Sequence, residues 1–193
     1  ELLKSWSNRF VEAGCDEVGR GCLCGPVVAA SVILDGNFNQ NLVNDSKKLT
    51  EKKREKLYDL ILKKCFVGIG VATEKEIDEI NILNATFLAM RRALEKVENY
   101  DIALVDGNHK IREYNGKQQE IIKGDGKSLS IAAASIIAKV YRDSLMRDLA
   151  EKYPEYKFEK HKGYGTKLHR ELLHAHGACK IHRKTFLRKI LGE

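Results

Sequence analysis

Three segments of this chain run from apolar, strand-forming residues directly into acidic residues that have a glycine close by. If the three strands share one sheet, four carboxylates converge at one end of it, because ligands of open α/β sheets gather outside the carboxyl ends of the strands. Carboxylates that lie close together repel one another and are costly to bury, so such a cluster normally requires cations. The pattern therefore predicts a metal-dependent enzyme. The segments are Gly14-Cys15-Asp16-Glu17-Val18-Gly19-Arg20-Gly21, Leu104-Val105-Asp106-Gly107-Asn108 and Ile121-Ile122-Lys123-Gly124-Asp125-Gly126.

Each of these acidic residues also has an ordinary structural explanation. Asp16 and Glu17 are adjacent on a strand and should point to opposite faces, so the pair could be one turn carboxylate and one exposed carboxylate. The Asp106-Gly107 pair is also a hairpin signal, and Asp125 could cap the helix that follows it. The coincidence of the three signals at the ends of three apolar strands is what favours a common site.

The pattern of apolar residues predicts alternating strands and helices. We expect strands over 10–16, 26–34, 66–72, 102–105 and 120–123, and helices over 50–64 and 130–152. Thr50 is a suitable helix N-cap, Thr73 with Glu76 forms a capping box, and Asn81 can cap the helix after that. This order of elements predicts an α/β protein with a mixed sheet flanked by helices.

Two further features concern the organisation of the chain. Small side chains over 131–138 would let the long helix lie close to the sheet, with Asp125 just before its N-terminus, where the helix dipole favours anions. We expect residues 1–152 to form a catalytic core. We expect residues 153–193 to form a basic helical segment that packs on this core within one domain.

The charge of the chain favours polyanionic partners. The 193 residues contain 34 Lys and Arg against 27 Asp and Glu, a net charge of +7. Six basic residues lie between positions 47 and 56 and five between 180 and 189, although a solvated helix face and a soluble tail would explain them equally well. No apolar run approaches the ~20 residues that cross a bilayer. The five cysteines lack the spacing of a disulfide framework, which favours a reducing cytosol.

Three loop motifs remain. Gly19-Arg20-Gly21 matches neither phosphate-loop fingerprint, but its glycines permit close approach of a ligand to the backbone, and the guanidinium suits phosphate. Cys22 and Cys24, with Cys179 and His182 far away in sequence, do not have the spacing of a standard zinc site, so small buried side chains explain them better. Tyr164 lies between two glycines, where it could stack on a sugar or base or fill a space beneath a loop.

Taken together, six motifs resemble those of bacterial type 2 ribonuclease H, ribonuclease HII. Their order and spacing match over about 13–186, and no further module precedes the first motif, which favours type 2 over type 3. The motifs are Gly14-Cys15-Asp16-Glu17-Val18-Gly19-Arg20-Gly21, Asn44-Asp45-Ser46-Lys47-Lys48-Leu49, Val105-Asp106-Gly107-Asn108, Lys123-Gly124-Asp125, Ala132-Ala133-Ala134-Ser135-Ile136-Ile137-Ala138-Lys139-Val140-Tyr141-Arg142-Asp143 and His161-Lys162-Gly163-Tyr164-Gly165-Thr166.

The resemblance implies a ribonuclease H-like fold with a mixed sheet of about five strands and a C-terminal helical appendage. It also implies endonucleolytic hydrolysis of the RNA strand of RNA/DNA hybrids, which leaves 5′-phosphomonoesters, and incision on the 5′ side of a single ribonucleotide in duplex DNA. By similarity, Asp16, Glu17, Asp106 and Asp125 would be the catalytic carboxylates and would bind two Mg²⁺ or Mn²⁺ ions.

The resemblance also assigns substrate contacts and partners. Gly19, Arg20 and Gly21 would contact the ribonucleotide and its 2′-hydroxyl, and Tyr164 would stack on the sugar at the RNA-to-DNA junction. Neighbouring residues or phosphate contacts would be Ser46, Lys47, Lys139 and Arg142. We expect a cytoplasmic monomer whose partner is an RNA/DNA hybrid or a ribonucleotide-containing duplex, with a sliding clamp as a further candidate. The chain departs from the family at Cys22, where proline is usual, and at Gly126, where alanine or serine is commoner.

Two other functions fit part of the sequence. A non-catalytic basic module that binds nucleic acid would explain the charge and the aromatic loop, but not an acidic cluster that repels phosphate. A related nuclease or integrase-like enzyme that acts only on DNA would share the carboxylates. Chelation of divalent metal separates the first alternative from an enzyme, and a single ribonucleotide in a DNA duplex separates the second.

Overall fold

The computed structural model describes residues 1–43 and 48–192. Within these residues, five strands form one mixed sheet in the order β3-β2-β1-β4-β5. The β1–β2 and β2–β3 pairs are antiparallel, whereas β1–β4 and β4–β5 are parallel. This confirms the predicted mixed sheet. The strands are β1 (Glu12–Val18), β2 (Val27–Ile33), β3 (Phe66–Ala72), β4 (Ile102–Asp106) and β5 (Gln118–Ile121).

Seven α-helices accompany the sheet in the part of the chain that is described. The third helix packs on one face of the sheet, where Ala13, Cys15 and Val105 lie in the core, and the first and fourth helices pack on the other face, over Val28 and Ala30. The strand β2 between these layers is buried along its whole length. The helices are α1 (Glu51–Lys64), α2 (Glu74–Ile80), α3 (Ile82–Leu94), α4 (Leu129–Lys152), α5 (Phe158–His161), α6 (Lys167–His176) and α7 (Lys184–Leu191).

The helix caps predicted at Thr50, Thr73 and Asn81 are confirmed. The Thr50 side chain accepts a hydrogen bond from the Lys53 N–H at the start of α1. Thr73 and Glu76 form the reciprocal capping box of α2, and the Asn81 side chain caps α3. Each cap satisfies N–H groups that have no partner within the helix, which is why these short signals are readable from the sequence alone.

The bounds of one strand differ from the sequence expectation, and the structure does not support the ordinary explanations considered for Asp125 and Asp106. Strand β5 covers 118–121 rather than 120–123, because Lys123 has a φ of 54° and leads into a 3-10 turn over Gly124–Gly126. Asp125 lies in that turn and does not cap α4, whose cap is Ser128. Asp106-Gly107 is not a hairpin turn, since β4 and β5 are parallel.

The C-terminal segment packs against the rest of the chain. Met146 of α4 shares a buried cluster with Tyr156, Phe158 and Ile181 of that segment. The main-chain N–H of Arg183 donates to the Leu23 carbonyl at 2.9 Å, which ties the segment to the glycine loop. The division at 152 stays a prediction, and this packing supports one domain. None of the described helices has both the length and the apolar composition to cross a membrane.

Candidate active site

The structure brings Asp16, Glu17, Asp106 and Asp125 together at the carboxyl ends of the parallel strands. Cys15 of β1 pairs with Val105 of β4, so Asp16 and Asp106 are the next residues on two adjacent strands. The 3-10 turn after β5 brings in Asp125, whose main-chain N–H donates to Asp106 Oδ1 at 3.1 Å. The Glu17 N–H donates to Asp16 Oδ1 at 2.7 Å. These contacts place the four acidic residues at one end of the sheet.

Asp16 and Glu17 lie on opposite faces of the sheet, as their adjacency predicts. Asp16 shares a face with Gly14, which lies directly against the main chain of α4 at Ser130. Glu17 instead lines a small cavity on the α3 side, together with Arg20 and Asp106. Asp106 is therefore close to both acidic residues of β1.

Burial and mutual repulsion make these carboxylates difficult to ionise together. Burial, followed by the charges of Asp106 and Glu17, raises the pKa of Asp16 well above its ordinary value. Burial raises the pKa of Glu17 to about 7, although the Arg20 guanidinium opposes the shift. Burial also raises the pKa of Asp106. A divalent cation would relieve this cost, and an all-oxygen set of carboxylates suits hard ions such as Mg²⁺ and Mn²⁺.

The glycine loop between β1 and β2 lies beside these carboxylates. Gly19 has a φ of +94°, and a Cβ there would lie 2.3 Å from Nε of Arg142, so only glycine fits without a shift of the guanidinium. Arg20 and Gly21 are exposed, and no atom lies within 4 Å of the Cβ position of Gly21. The loop is thus packed on its inner side and open on its outer side.

The four residues expected to be neighbours or phosphate contacts fall into different environments. Arg142 is 1 % exposed and donates to the main-chain carbonyls of Cys24, Pro26 and Lys162 at 2.6 to 2.9 Å. Because Arg142 is buried, it is better suited to support the site as a neighbour than to contact a phosphate. Lys139 is half-buried and pairs with Asp143 at 3.0 Å. Ser46 and Lys47 lie outside the described residues.

Tyr164 lies on the loop between α5 and α6. It is 37 % exposed, which favours a ring available for stacking over a plug beneath a loop. The guanidinium carbon of Arg142 lies 6.0 Å from the centroid of the Tyr164 ring. Burial raises the pKa of the Tyr164 hydroxyl to about 12. Arg142 therefore contacts both the aromatic loop and the glycine loop.

A buried histidine pair supports the Tyr164 loop. Nε2 of His169 and Nε2 of His182 lie 2.9 Å apart, Nδ1 of His169 lies 2.9 Å from the Tyr164 carbonyl, and the Cys179 N–H donates to Nδ1 of His182 at 3.0 Å. These partners assign the protons: His182 donates to His169, and His169 donates to the carbonyl. Burial lowers the pKa of both rings to about 4, so the pair is neutral at pH 7.

The same histidines lie near a thiol. Among the described residues, the only three Asp, Glu, His or Cys ligand atoms within 4.8 Å of one another belong to Cys24, His169 and His182. A metal-bound histidine normally donates its second ring N–H to an acceptor, but Nδ1 of His182 faces an N–H donor. The hydrogen bonds therefore support a structural role for this group, as the sequence spacing indicated. No three carboxylate oxygens of Asp16, Glu17, Asp106 and Asp125 from different residues lie within 4.8 Å of one another in the described structure.

Sequence reasoning missed two residues that shape the site. His169 lies five positions after Tyr164 on an amphipathic helix, where nothing local distinguishes it from an exposed histidine. Arg183 belongs to the basic stretch 180–189, which is typical of a soluble surface, yet it is fully buried. The Arg183 bonds join distant parts of the chain, and the His169–His182 contact depends on how two C-terminal segments fold together, so only the tertiary fold could reveal either of them.

Comparison with known proteins identifies the family. The ribonuclease HII family model matches residues 13–189. Ribonuclease HII of Fusobacterium nucleatum is 64% identical over 186 residues, covering 92% of this chain and 86% of the relative. Ribonuclease HII of Caldicellulosiruptor bescii is 53% identical over 194 residues, covering 100% of this chain and 93% of the relative.

Solved structures show the same fold. Ribonuclease H2 of Pyrococcus horikoshii superposes with a TM-score of 0.76 at 30% identity, covering 93% of this chain and 96% of the other. RNase HII from the PCNA:RNase HII complex of Archaeoglobus fulgidus gives a TM-score of 0.72 at 29% identity, covering 91% and 93%. Bst-RNase HIII in complex with Mn²⁺ superposes with a TM-score of 0.72 at 17% identity, covering 94% of this chain and 69% of the other. At this low identity, the match is evidence for the fold alone. This chain belongs to the ribonuclease HII family and is a ribonuclease H, an endonuclease that acts on RNA paired with DNA.

Proposed function

We propose that this ribonuclease H also incises duplex DNA on the 5′ side of a single embedded ribonucleotide, and that it does so with two divalent metal ions. The observation that carries the proposal is the juxtaposition of Asp16 and Asp106 on adjacent parallel strands, with Glu17 and Asp125 beside them. The open glycine loop directly follows β1, and Arg142, which packs against Gly19 of this loop, lies 6.0 Å from the centroid of the exposed Tyr164 ring.

Asp16, Glu17, Asp106 and Asp125 would hold the ions. Two divalent ions would activate a water and stabilise the leaving oxygen of the phosphodiester. The raised pKa values of Asp16 and Glu17 support this assignment, because buried acids that repel one another gain most from a nearby cation. Mg²⁺ and Mn²⁺ both suit these ligands, and the fold neighbour Bst-RNase HIII is known in complex with Mn²⁺.

The chain's own residues supply recognition of the ribonucleotide. The main chain of Gly19, Arg20 and Gly21 would contact the ribose, where the 2′-hydroxyl is the group that separates RNA from DNA. The exposed Arg20 guanidinium suits an adjacent phosphate. The Tyr164 ring would stack on the sugar at the junction, with Arg142 beneath it fixing its position.

The deciding experiment offers the purified protein three substrates: a DNA duplex with one ribonucleotide, the same duplex without it, and an RNA/DNA hybrid. With Mg²⁺ or Mn²⁺ we expect cleavage of the first and third substrates, a cut on the 5′ side of the ribonucleotide, and no cleavage of the second. EDTA should stop cleavage while binding persists. Cleavage of the all-DNA duplex would favour the DNA nuclease, and cleavage of the hybrid alone would remove the single-ribonucleotide activity.

Partners and location follow as further proposals. A sliding clamp is a candidate partner, because the Archaeoglobus fulgidus relative forms a complex with PCNA. All five cysteines are free thiols, and Cys15, Cys22 and Cys24 are buried, which supports a reducing cytoplasm. We propose that the protein acts there as a monomer, which size-exclusion chromatography with light scattering would test.

A further inference from the structure

The buried guanidinium of Arg183 bonds four main-chain carbonyls of the glycine loop. Its Nε donates to the Gly25 carbonyl at 3.0 Å, its Nη1 to those of Arg20 and Cys22 at 2.9 and 2.7 Å, and its Nη2 to that of Gly19 at 2.7 Å. Burial lowers the pKa of Arg183 to about 10, so the group stays charged at neutral pH. One side chain thus satisfies most of the inward-facing carbonyls of the loop.

This arrangement fixes which groups the loop presents to solvent. Buried carbonyls must be paired, so the loop keeps its carbonyl side turned towards Arg183. The main-chain N–H groups of Arg20 and Gly21 donate no hydrogen bond within the described residues, and both residues are exposed. The N–H groups are therefore available to a ligand on the outer side of the loop.

Arg183 is itself held from two sides. The Phe186 ring lies 5.0 Å from the guanidinium carbon of Arg183. The Asp78 carboxylate of α2 accepts hydrogen bonds from the N–H groups of Lys184 and Thr185 at 3.0 and 3.1 Å, which anchors the start of α7. Both contacts restrict where the guanidinium can lie, and hence where the loop carbonyls lie.

We infer that Arg183 is a positioning residue that holds the Gly19–Gly21 main chain in the conformation that reads the ribonucleotide. The inference rests on the proposed function, because we propose that this loop contacts the 2′-hydroxyl, and the inference explains what holds the loop in shape. Lysine at this position keeps the charge but has one nitrogen, which cannot reach four carbonyls in a fixed fork. Arg183→Lys should therefore loosen the loop without removing the positive charge.

The test measures binding in EDTA, where no cleavage occurs, by fluorescence anisotropy with two duplexes that differ by one 2′-hydroxyl. We expect the wild type to bind the ribonucleotide duplex more tightly than the all-DNA duplex. Arg183→Lys should reduce this preference by about 10-fold, the effect of losing about one hydrogen bond to the ribose, while its affinity for all-DNA stays within about 2-fold. A partly unfolded sample would weaken both affinities equally and leave their ratio unchanged. Arg188→Lys, which changes an exposed arginine of the same helix, is the matched control.

The outcomes separate the inference from the function on which it rests. If the wild type binds the two duplexes equally well, the proposed recognition of the ribose is contradicted, and so is the inference. A wild-type preference that persists in Arg183→Lys would overturn the inference alone. If Arg183→Lys does not fold, Phe186→Leu decides the question, because it removes the ring beside the guanidinium: we expect a partial loss of the preference, and full retention would contradict the inference.

Discussion

At neutral pH, ionisation of the Asp16 carboxylate costs the metal-free protein free energy, because the group is buried beside Asp106 and Glu17. An acid whose pKa is raised by folding destabilises the folded state as the pH rises above its unfolded pKa, and this cost is complete once the pH exceeds its folded pKa. An asparagine keeps the shape and can still accept the Glu17 N–H bond, but it carries no charge. Asp16→Asn should therefore stabilise the metal-free fold and destroy the proposed metal site.

Asp16→Asn or Asp106→Asn should abolish cleavage of an RNA/DNA hybrid, lowering kcat by at least about 100-fold. Binding of the hybrid should survive, because the basic surface supplies most of the affinity. The measurements are cleavage in Mg²⁺ and hybrid affinity by anisotropy in EDTA. The melting temperature in EDTA should be unchanged or higher than that of the wild type. Full activity of either variant would remove that residue from the proposed catalytic set.

The neutral pair of His169 and His182 should make stability fall in acid. Both pKa values are lowered to about 4, so the unfolded chain binds more protons between pH 6.5 and pH 4. The stabilisation from the neutral pair is complete above pH 6.5. As the pH falls towards 4, the free energy of unfolding decreases by at least about 1 kcal/mol. His182→Gln should show a shallower decline of the free energy of unfolding over this range in urea titrations. His174→Gln, an exposed histidine of α6, should keep the wild-type slope.

At the level of elements, the close contact between β1 and α4 sets the position of Asp16. A Cβ on Gly14 would lie 2.3 Å from the main-chain carbon of Ser130 and 2.4 Å from the nitrogen of Ile131. Neither atom can move without a shift of the helix. Gly14→Ala should therefore lower the free energy of unfolding by about 1–3 kcal/mol in urea titrations. Gly36→Ala is the control, since no atom lies within 4 Å of its Cβ position, and equal stability of the two variants would contradict the close contact.

Sequence reasoning recovered the elements because their signals are local. The caps at Thr50, Thr73 and Asn81 depend on residues three positions away, and the apolar runs identify the strands. The end of β5 was misplaced because the left-handed conformation of Lys123 has no sequence signature. The acidic residues were predictable because each follows an apolar strand closely: Asp16 and Glu17 lie near the end of β1, Asp106 ends β4, and Asp125 follows β5. The bonds of Arg183, by contrast, span more than 150 residues and have no local pattern.

At the scale of the whole molecule, side chains of residues 153–192 complete the buried core of the residues that precede them. Cys24 and Met146 lie in the same buried cluster as Tyr156, Phe158 and Ile181. The glycine loop depends on Arg183 for partners to its carbonyls, and Arg142 bonds the Lys162 carbonyl at 2.6 Å. The four acidic residues of the proposed metal site all lie before position 153. The predicted division at 152 would thus separate the acidic residues from Arg183, which bonds the carbonyls of the loop beside them.

A fragment of residues 1–152 should consequently fail to fold cooperatively. Its truncation would expose the apolar cluster around Met146 and leave the carbonyls of Gly19, Cys22 and Gly25 without the Arg183 guanidinium, and each unpaired buried carbonyl costs about 1–3 kcal/mol. Thermal unfolding by circular dichroism and the dispersion of an amide NMR spectrum, compared with the full chain, are the measurements. A fragment with a cooperative transition and a dispersed spectrum would show that 1–152 is an independent unit, and that the C-terminal segment serves the loop rather than the fold.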